Sequence, residues 1–331
     1  MSILLDPAIL FFVFGILAGT LRSNLEIPPQ VSRFLSLYLL MALGLKGGFA
    51  LSASGLTAEV AITLACALGL AIAIPLLSYV VLRRILNGFD AAAVAATYGS
   101  VSAVTFITAA QVLDNRGLEY GGHMAAAMAL MESPAIVIAV VLANVVRRRS
   151  ATASGSVASA SMQPGPANAS IGRILHEALT DGAQLLLLGA MVVGLITGEA
   201  GRVAMQPFAG DLFKGMLAFF LLDMGLLAAR NMGGLKGQSP WLLAYAVFAP
   251  LLHAGVALAV SKVLGVSPGN GALLMVLAAS ASYIAVPAVL REAIPEARPA
   301  IYFGMSLGVT FPLNILLGIP LYIAVAHRVL G

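Results

Sequence analysis

Apolar runs of about twenty residues recur along the whole chain, each bounded by proline, glycine or charge. Ten are visible, at approximately 4–21, 30–50, 57–82, 91–113, 121–146, 176–198, 208–229, 240–264, 270–290 and 299–327. A helix of roughly 20 apolar residues crosses the hydrocarbon of a bilayer. In lipid only helices and closed barrels satisfy their own backbone. The period here is helical and lacks the two-residue alternation of a barrel strand. Composition agrees: of 331 residues, 60% are hydrophobic and 10% charged, and the mean hydropathy is +0.99. A soluble domain carries roughly 25% charged residues. The prediction is an all-α integral membrane protein with ten transmembrane helices, its surface covered largely by lipid.

The positive charges orient it. Of 18 Lys and Arg, twelve fall in loops that follow odd-numbered runs, among them Arg83, Arg84, Arg147, Arg148 and Arg149. Four lie on the other side, at Arg116, Arg202, Lys262 and Arg328. The positive-inside rule places the odd loops in the cytoplasm and both termini outside. This distribution explains the net charge of +4 without a nucleic-acid partner. The opening run carries Asp6 and no positive n-region, so it reads as a first span and not a signal peptide. The lone Cys66 excludes an intramolecular disulfide and reads as a packing residue.

A Ser/Ala/Gly/Pro-rich stretch without an apolar face separates runs five and six. It reads as a flexible cytoplasmic linker, either a connector or a docking segment for a regulator. The chain then divides into a first five-span repeat (1–146), the linker (147–175) and a second five-span repeat (176–331). The halves echo one another. LLMALGLKGG (39–48) matches FLLDMGLLAA (220–229), setting Gly44 against Gly225, and the C-terminal runs align Pro134 with Pro312. The offset is 178 to 181 throughout. Five spans per half make the second half enter from the opposite face. That is the inverted-repeat architecture of many secondary transporters.

Two runs at matching places carry residues that oppose a helix. Run four reads TYGSVSAVTF, with Gly99, Ser100, Ser102 and Thr105; run nine reads AASASYIAVP, with Ser280, Ser282, Tyr283 and Pro287. Glycine costs about 1 kcal/mol in a helix interior and proline about 3, and serine competes for the backbone. Both runs are expected to unwind near mid-membrane, where the break must face protein or a water-filled cavity. Free N–H groups of a half-helix form an anion site. Opposed carbonyls with the hydroxyls of Ser102, Thr105, Ser280 and Ser282 suit a cation such as Na⁺. The alternative is that these small residues merely let helices pack closely.

Ionisable groups inside apolar runs are expensive and therefore informative. Glu132, just before Pro134, reads as a cation ligand, a proton carrier or a hydrogen-bonded lock. Asp223 and Lys46, at nearly repeat-equivalent positions, read as a buried ion pair or as coupling and gating groups. His253 reads as an interhelical hydrogen-bonding residue or a proton relay. The sequence around His176 lacks the second histidine of a zinc-protease motif, since Thr180 stands there. No nucleophile–base pair is visible, so neither an enzyme nor a resident cofactor is expected.

The segments LGLKGG, GSVSAVTF, MESPAIVIAVVLANV, LLDMGL and SASYIAVP together resemble the sodium-dependent bicarbonate transporter superfamily over nearly the whole chain. The resemblance implies a bacterial inner-membrane protein with two crossed broken helices, spans 4 and 9, and an elevator-like movement. It also implies a homotrimer, a small PII-like cytoplasmic regulator, and bicarbonate with Na⁺ as the coupling ion. Those ligands would meet at Gly99, Ser100, Val101, Ser102, Ala103 and Thr105 with Ser280, Ser282, Tyr283 and Ile284. Three departures stand out. Ala103 and Val104 replace a Gly/Ser-rich stretch, Ala285 and Val286 replace a Ser–Gly pair, and Tyr283 replaces an aspartate, a stronger Na⁺ ligand. The expected function is Na⁺-coupled import of bicarbonate or a related small anion. The alternatives are an H⁺- or Na⁺-coupled carrier of another small organic anion and a transport-inactive membrane sensor or partner-binding protein.

Overall fold

The computed structural model describes residues 5–55, 57–153, 182–231 and 237–331. Among them every regular element is helical. The elements are α1 (Pro7–Thr20), α2 (Pro29–Ser54), α3 (Ala58–Leu82), α4 (Gly88–Gly99), α5 (Ala103–Arg116) and α6 (Met124–Ala153), then α7 (Gly182–Met205), α8 (Phe213–Asn231), α9 (Pro240–Val263), α10 (Pro268–Ala279) and α11 (Ala285–Ala293). The last, α12, runs over Pro299–Leu330. Among the described residues seven stretches are long and apolar enough to cross a membrane, and the shorter α1 and α10 are also apolar.

Local chemistry sets the ends. Asp6 caps α1 by accepting from the Ala8 amide at 2.9 Å, ahead of Pro7 in the first turn. Asn87 caps α4 through the amides of Phe89 and Asp90. Gly117, at φ 65°, ends α5 in the left-handed conformation that only glycine adopts freely. A second left-handed glycine, Gly198 (φ 51°), kinks α7. In α12, wider π turns at Ser306–Thr310 and Asn314–Gly318 precede or flank Pro312 and Pro320, whose rings clash with the carbonyl four residues back.

Two helix pairs pack backbone to backbone. On α1 and α8, a Cβ at Gly15 would strike the Leu222 carbonyl and one at Gly225 the Phe12 carbonyl. On α2 and α7, a Cβ at Gly44 would strike the Leu187 carbonyl and one at Gly48 that of Met191. Lipid offers no hydrophobic drive between helices, so such close approach supplies the dispersion contact that holds them. Cys66 is buried.

The broken stretch 88–116 lies deepest. Its apolar window is 94% buried, against 33% for α9. The unwound backbone is therefore sheltered by protein, as its unpaired groups require. Helix α6 continues through Arg147 to Ala153, into the stretch expected as linker. That stretch of Arg, Ser, Ala and Thr contains no glycine or proline to stop it. The rest of the linker, 154–175, and the start of the second repeat, 176–181, lie outside the described residues.

Candidate functional site

The chain breaks between α4 and α5 at Ser100–Ser102, and between α10 and α11 at Ser280–Ile284. The two breaks touch. The Ser102 amide donates to Ser280 Oγ at 3.0 Å, and the Ser282 amide donates to the Thr97 carbonyl at 2.8 Å. Ser102 and Ser282 stand 180 residues apart, so equivalent amides of the two breaks each reach across to the opposite broken helix.

Each break is capped from within. Ser102 Oγ accepts from the Thr105 amide at 3.2 Å, and Ser282 Oγ from the Val286 amide at 3.3 Å. Ser280 Oγ donates to the Leu277 carbonyl at 2.8 Å. The Ala279 carbonyl, freed where α10 stops, accepts from Asn314 Nδ2 at 2.8 Å, and Asn314 is held in turn by the Tyr322 hydroxyl. At Gly99 a Cβ would lie 2.6 Å from the Pro75 ring. Gly99 thus lets the end of α4 lie flat on α3.

What remains free is polar and buried. The hydroxyls of Ser100 and Thr105, both 1% exposed, have no hydrogen-bond partner. The Ala103 amide opens α5, where no carbonyl of a preceding turn can reach it. Partial positive charge from the N-terminal ends of α5 and α11 therefore meets unpartnered hydroxyl oxygens in one small volume. That arrangement can take a small anion on amides and a cation on oxygens.

The expected site residues divide. Gly99, Ser100, Val101, Ser102, Thr105, Ser280, Ser282 and Tyr283 are buried at or beside the crossing, and Ala103 is partly so. Ile284 is 53% exposed. Of the four hydroxyls expected to hold Na⁺, only that of Thr105 is free of a capping or crossing hydrogen bond. Tyr283 donates to Met224 Sδ at 3.6 Å and packs at a steep tilt against the Phe311 ring, tying the second break to α8 and α12.

The expected Lys46–Asp223 pair is corrected. Lys46 Nζ pairs with Asp114 at 3.3 Å and sits 4.4 Å from the centre of the Phe213 ring. Near-equivalence in a repeat does not bring two residues into contact, and the end of α5 is what faces α2 here. Asp223 is 5% exposed, its Oδ2 without a hydrogen-bond partner and the Ser32 side chain nearby. Glu132 Oε2 accepts from Gln184 Nε2 at 2.6 Å, joining α6 to α7. His253 is 8% exposed, with no partner on Nδ1.

A cavity of about 850 Å³ opens between α2, α5 and the segment around Met205–Gly210. Leu43, Lys46 and Ala50 of α2 and Met205 and Ala209 line one wall. Asp114, Tyr120 and Ala125 line the other, and Phe106, one turn beyond Ser102, also lines it. Burial, and then the Asp114 carboxylate, push the Tyr120 phenol above its ordinary pKa.

Both broken helices are anchored alike at their far ends. Asp90, 1% exposed, accepts from the Arg298 amide at 2.8 Å and pairs with its guanidinium at 2.7 Å. Asn270 Oδ1 accepts from the Gly121 amide at 2.7 Å, while Asn270 Nδ2 donates to Glu59 at 2.9 Å. Asp90 and Asn270 are 180 residues apart. These anchors, with Thr97, Pro75 and Asn314, were not singled out from sequence. The one available signal was a lone Asn inside the apolar run PLNILLG.

A helical chain with several membrane-length apolar stretches and a buried polar crossing is an integral membrane protein of the transporter class. The profile of the Na⁺-dependent bicarbonate transporter superfamily matches residues 7–327, and the chain belongs to that superfamily. No curated protein matches it.

Proposed function

We propose that the chain is a secondary transporter that imports bicarbonate, or a related small anion, together with Na⁺. The observation that carries this reading is the reciprocal contact of the two breaks, Ser102 N–H to Ser280 Oγ and Ser282 N–H to the Thr97 carbonyl. The anion would sit on amides at the starts of α5 and α11. The cation would sit on Thr105 and Ser100 hydroxyls and on carbonyls at the break, with remaining lone pairs of Ser102, Ser280 and Ser282. Glu132, Asp223 and Lys46 remain candidates for coupling or gating.

The architecture proposed with it is ten crossings in two inverted five-span repeats. The 50-residue stretch Gly182–Asn231 supports it, being about 75 Å long if helical throughout, enough for two crossings. The anchors Asp90 and Asn270 and the glycines Gly44 and Gly225, at offsets of 180 and 181, support the repeat. An elevator-like movement of the broken helices against α2 and α7 would expose the crossing to each side in turn. An inner-membrane homotrimer with both termini outside and a PII-like cytoplasmic partner completes the proposal.

Uptake of isotope-labelled bicarbonate into proteoliposomes tests it. An inward Na⁺ gradient is expected to drive accumulation; equal uptake with and without the gradient would remove Na⁺ coupling. A second reading, an H⁺-coupled carrier of a small organic anion, draws on the buried His253 and Asp223, each with an unpartnered polar atom. Uptake driven by a pH gradient alone would favour it. Ligand-dependent thermal stabilisation without any uptake would favour a transport-inactive sensor.

A further inference from the structure

The C-terminal end of α5 carries a buried oxygen that no donor among the described residues reaches. Gln111 is 5% exposed, and its Oε1 has no hydrogen-bond partner. Its orientation follows from a chain of amides. The Asp6 carboxylate only accepts, so Asn115 turns Nδ2 toward it, at 3.0 Å. Asn115 Oδ1 then accepts from Gln111 Nε2 at 2.9 Å. Gln111 Oε1 is left as the atom turned away from that chain.

Gln111 lines a cavity of about 730 Å³ together with Asp114, Asn115, Lys46, Asp211 and Lys214. Asp114 follows Gln111 by three residues and shares its helix face. The last carbonyls of α5 add partial negative charge at the same end. An amide oxygen, a carboxylate and a helix C-terminus are all acceptors, the hard-oxygen set that suits a small cation. A cation is already placed there by the chain itself. The Lys46 ammonium, reaching over from α2, lies 3.3 Å from Asp114 Oδ2 with the Phe213 ring beneath it.

We propose that Gln111 Oε1 and Asp114 form a monovalent-cation site at the outer mouth of the cavity, for which the Lys46 ammonium is a tethered competitor. Its role in transport rests on the function proposed above. When α5 moves against α2, the Lys46–Asp114 pair parts and the two oxygens take a free cation in its place. Cation binding itself requires no transport.

The test is therefore a binding measurement on the full chain in detergent. Thermal unfolding is followed while NaCl replaces choline chloride at constant ionic strength, with ²³Na line broadening as a second readout. Lys46→Gln is expected to lower the half-saturating Na⁺ concentration about fivefold, the factor that a partly exposed ion pair carries. Adding Gln111→Leu to Lys46→Gln is expected to reverse that gain, and Gln111→Glu to exceed it. Unfolding in choline alone checks that each variant folds. Identical Na⁺ curves for the wild type and Lys46→Gln would overturn the proposal, as would a Lys46→Gln gain that Gln111→Leu leaves intact. Na⁺-independent bicarbonate uptake combined with the expected Lys46→Gln shift would overturn the coupled-import reading and leave this site standing.

Discussion

The Ser102 amide and the Ser280 hydroxyl, 178 residues apart in the chain, are joined by a buried hydrogen bond of 3.0 Å. Ser280 Oγ is aimed by its own donation to the Leu277 carbonyl. Ser280→Ala removes the side-chain acceptor of that amide and leaves a buried N–H unpaired. The expected cost is about 1–3 kcal/mol, read as a lower unfolding temperature in detergent. Uptake is expected to fall further than stability, because the two breaks lose their register. Ser280→Thr, which keeps the hydroxyl, is expected to retain most of both.

Gly99 and Pro75 make the second contact on which the crossing depends. A methyl at Gly99 would lie 2.6–2.7 Å from three atoms of the Pro75 ring, and neither α3 nor a proline ring yields easily. Gly99→Ala is expected to destabilise by about 1–3 kcal/mol through overpacking, and to displace Ser100–Ser102. Combining it with Pro75→Ala removes the ring and should recover part of the loss. Additive losses in that double-mutant cycle would show that the contact does not matter.

The positions of the breaks were legible because Gly99, Ser100, Ser280 and Ser282 contradict the helical runs that contain them. Such a conflict between local and global preference is visible without coordinates. What the hydroxyls do there was not legible. A serine at a break caps the next half-helix as readily as it binds an ion, and Ser102, Ser280 and Ser282 all spend hydrogen bonds on the backbone. Of the two readings of Lys46 and Asp223, the ion pair fails because repeat arithmetic relates positions and not neighbours; Lys46 pairs with Asp114, in a different run altogether. Asn314 escaped notice because its task, holding the Ala279 carbonyl, exists only once α10 stops beside α12.

Pro250 determines a hydrogen-bonded relay between three helices. Lacking an N–H, it leaves the Ala246 carbonyl of α9 without its intrahelical donor. Thr310 Oγ1 donates to that carbonyl at 2.7 Å. Its one hydrogen is thereby used, so Tyr98 must be the donor in the 2.6 Å contact with Thr310. Thr310→Val is expected to lose about 1–3 kcal/mol by stranding the carbonyl and the phenol. Pro250→Ala returns the missing N–H, so it should restore part of that stability in the Thr310→Val background while giving little to the wild type. Equal effects of Pro250→Ala in both backgrounds, by unfolding temperature, would refute the relay.

His123 gives the fold a pH dependence of fixed sign. The residue is 5% exposed, its Nε2 has no hydrogen-bond partner, and it lies just ahead of α6. Burial pushes its imidazole below the ordinary value of 6.5, with the Glu59 carboxylate opposing the shift. The unfolded chain therefore takes up a proton at a higher pH than the folded one. Stability from this residue is complete above about pH 7 and is lost progressively as pH falls through 6.5 toward the lower folded value. Unfolding temperatures between pH 8 and pH 5 should fall more steeply for the wild type than for His123→Gln, whose side chain does not titrate. Parallel curves over that range would mean that the histidine is protonated alike in both states, and that its burial has no influence on its charge.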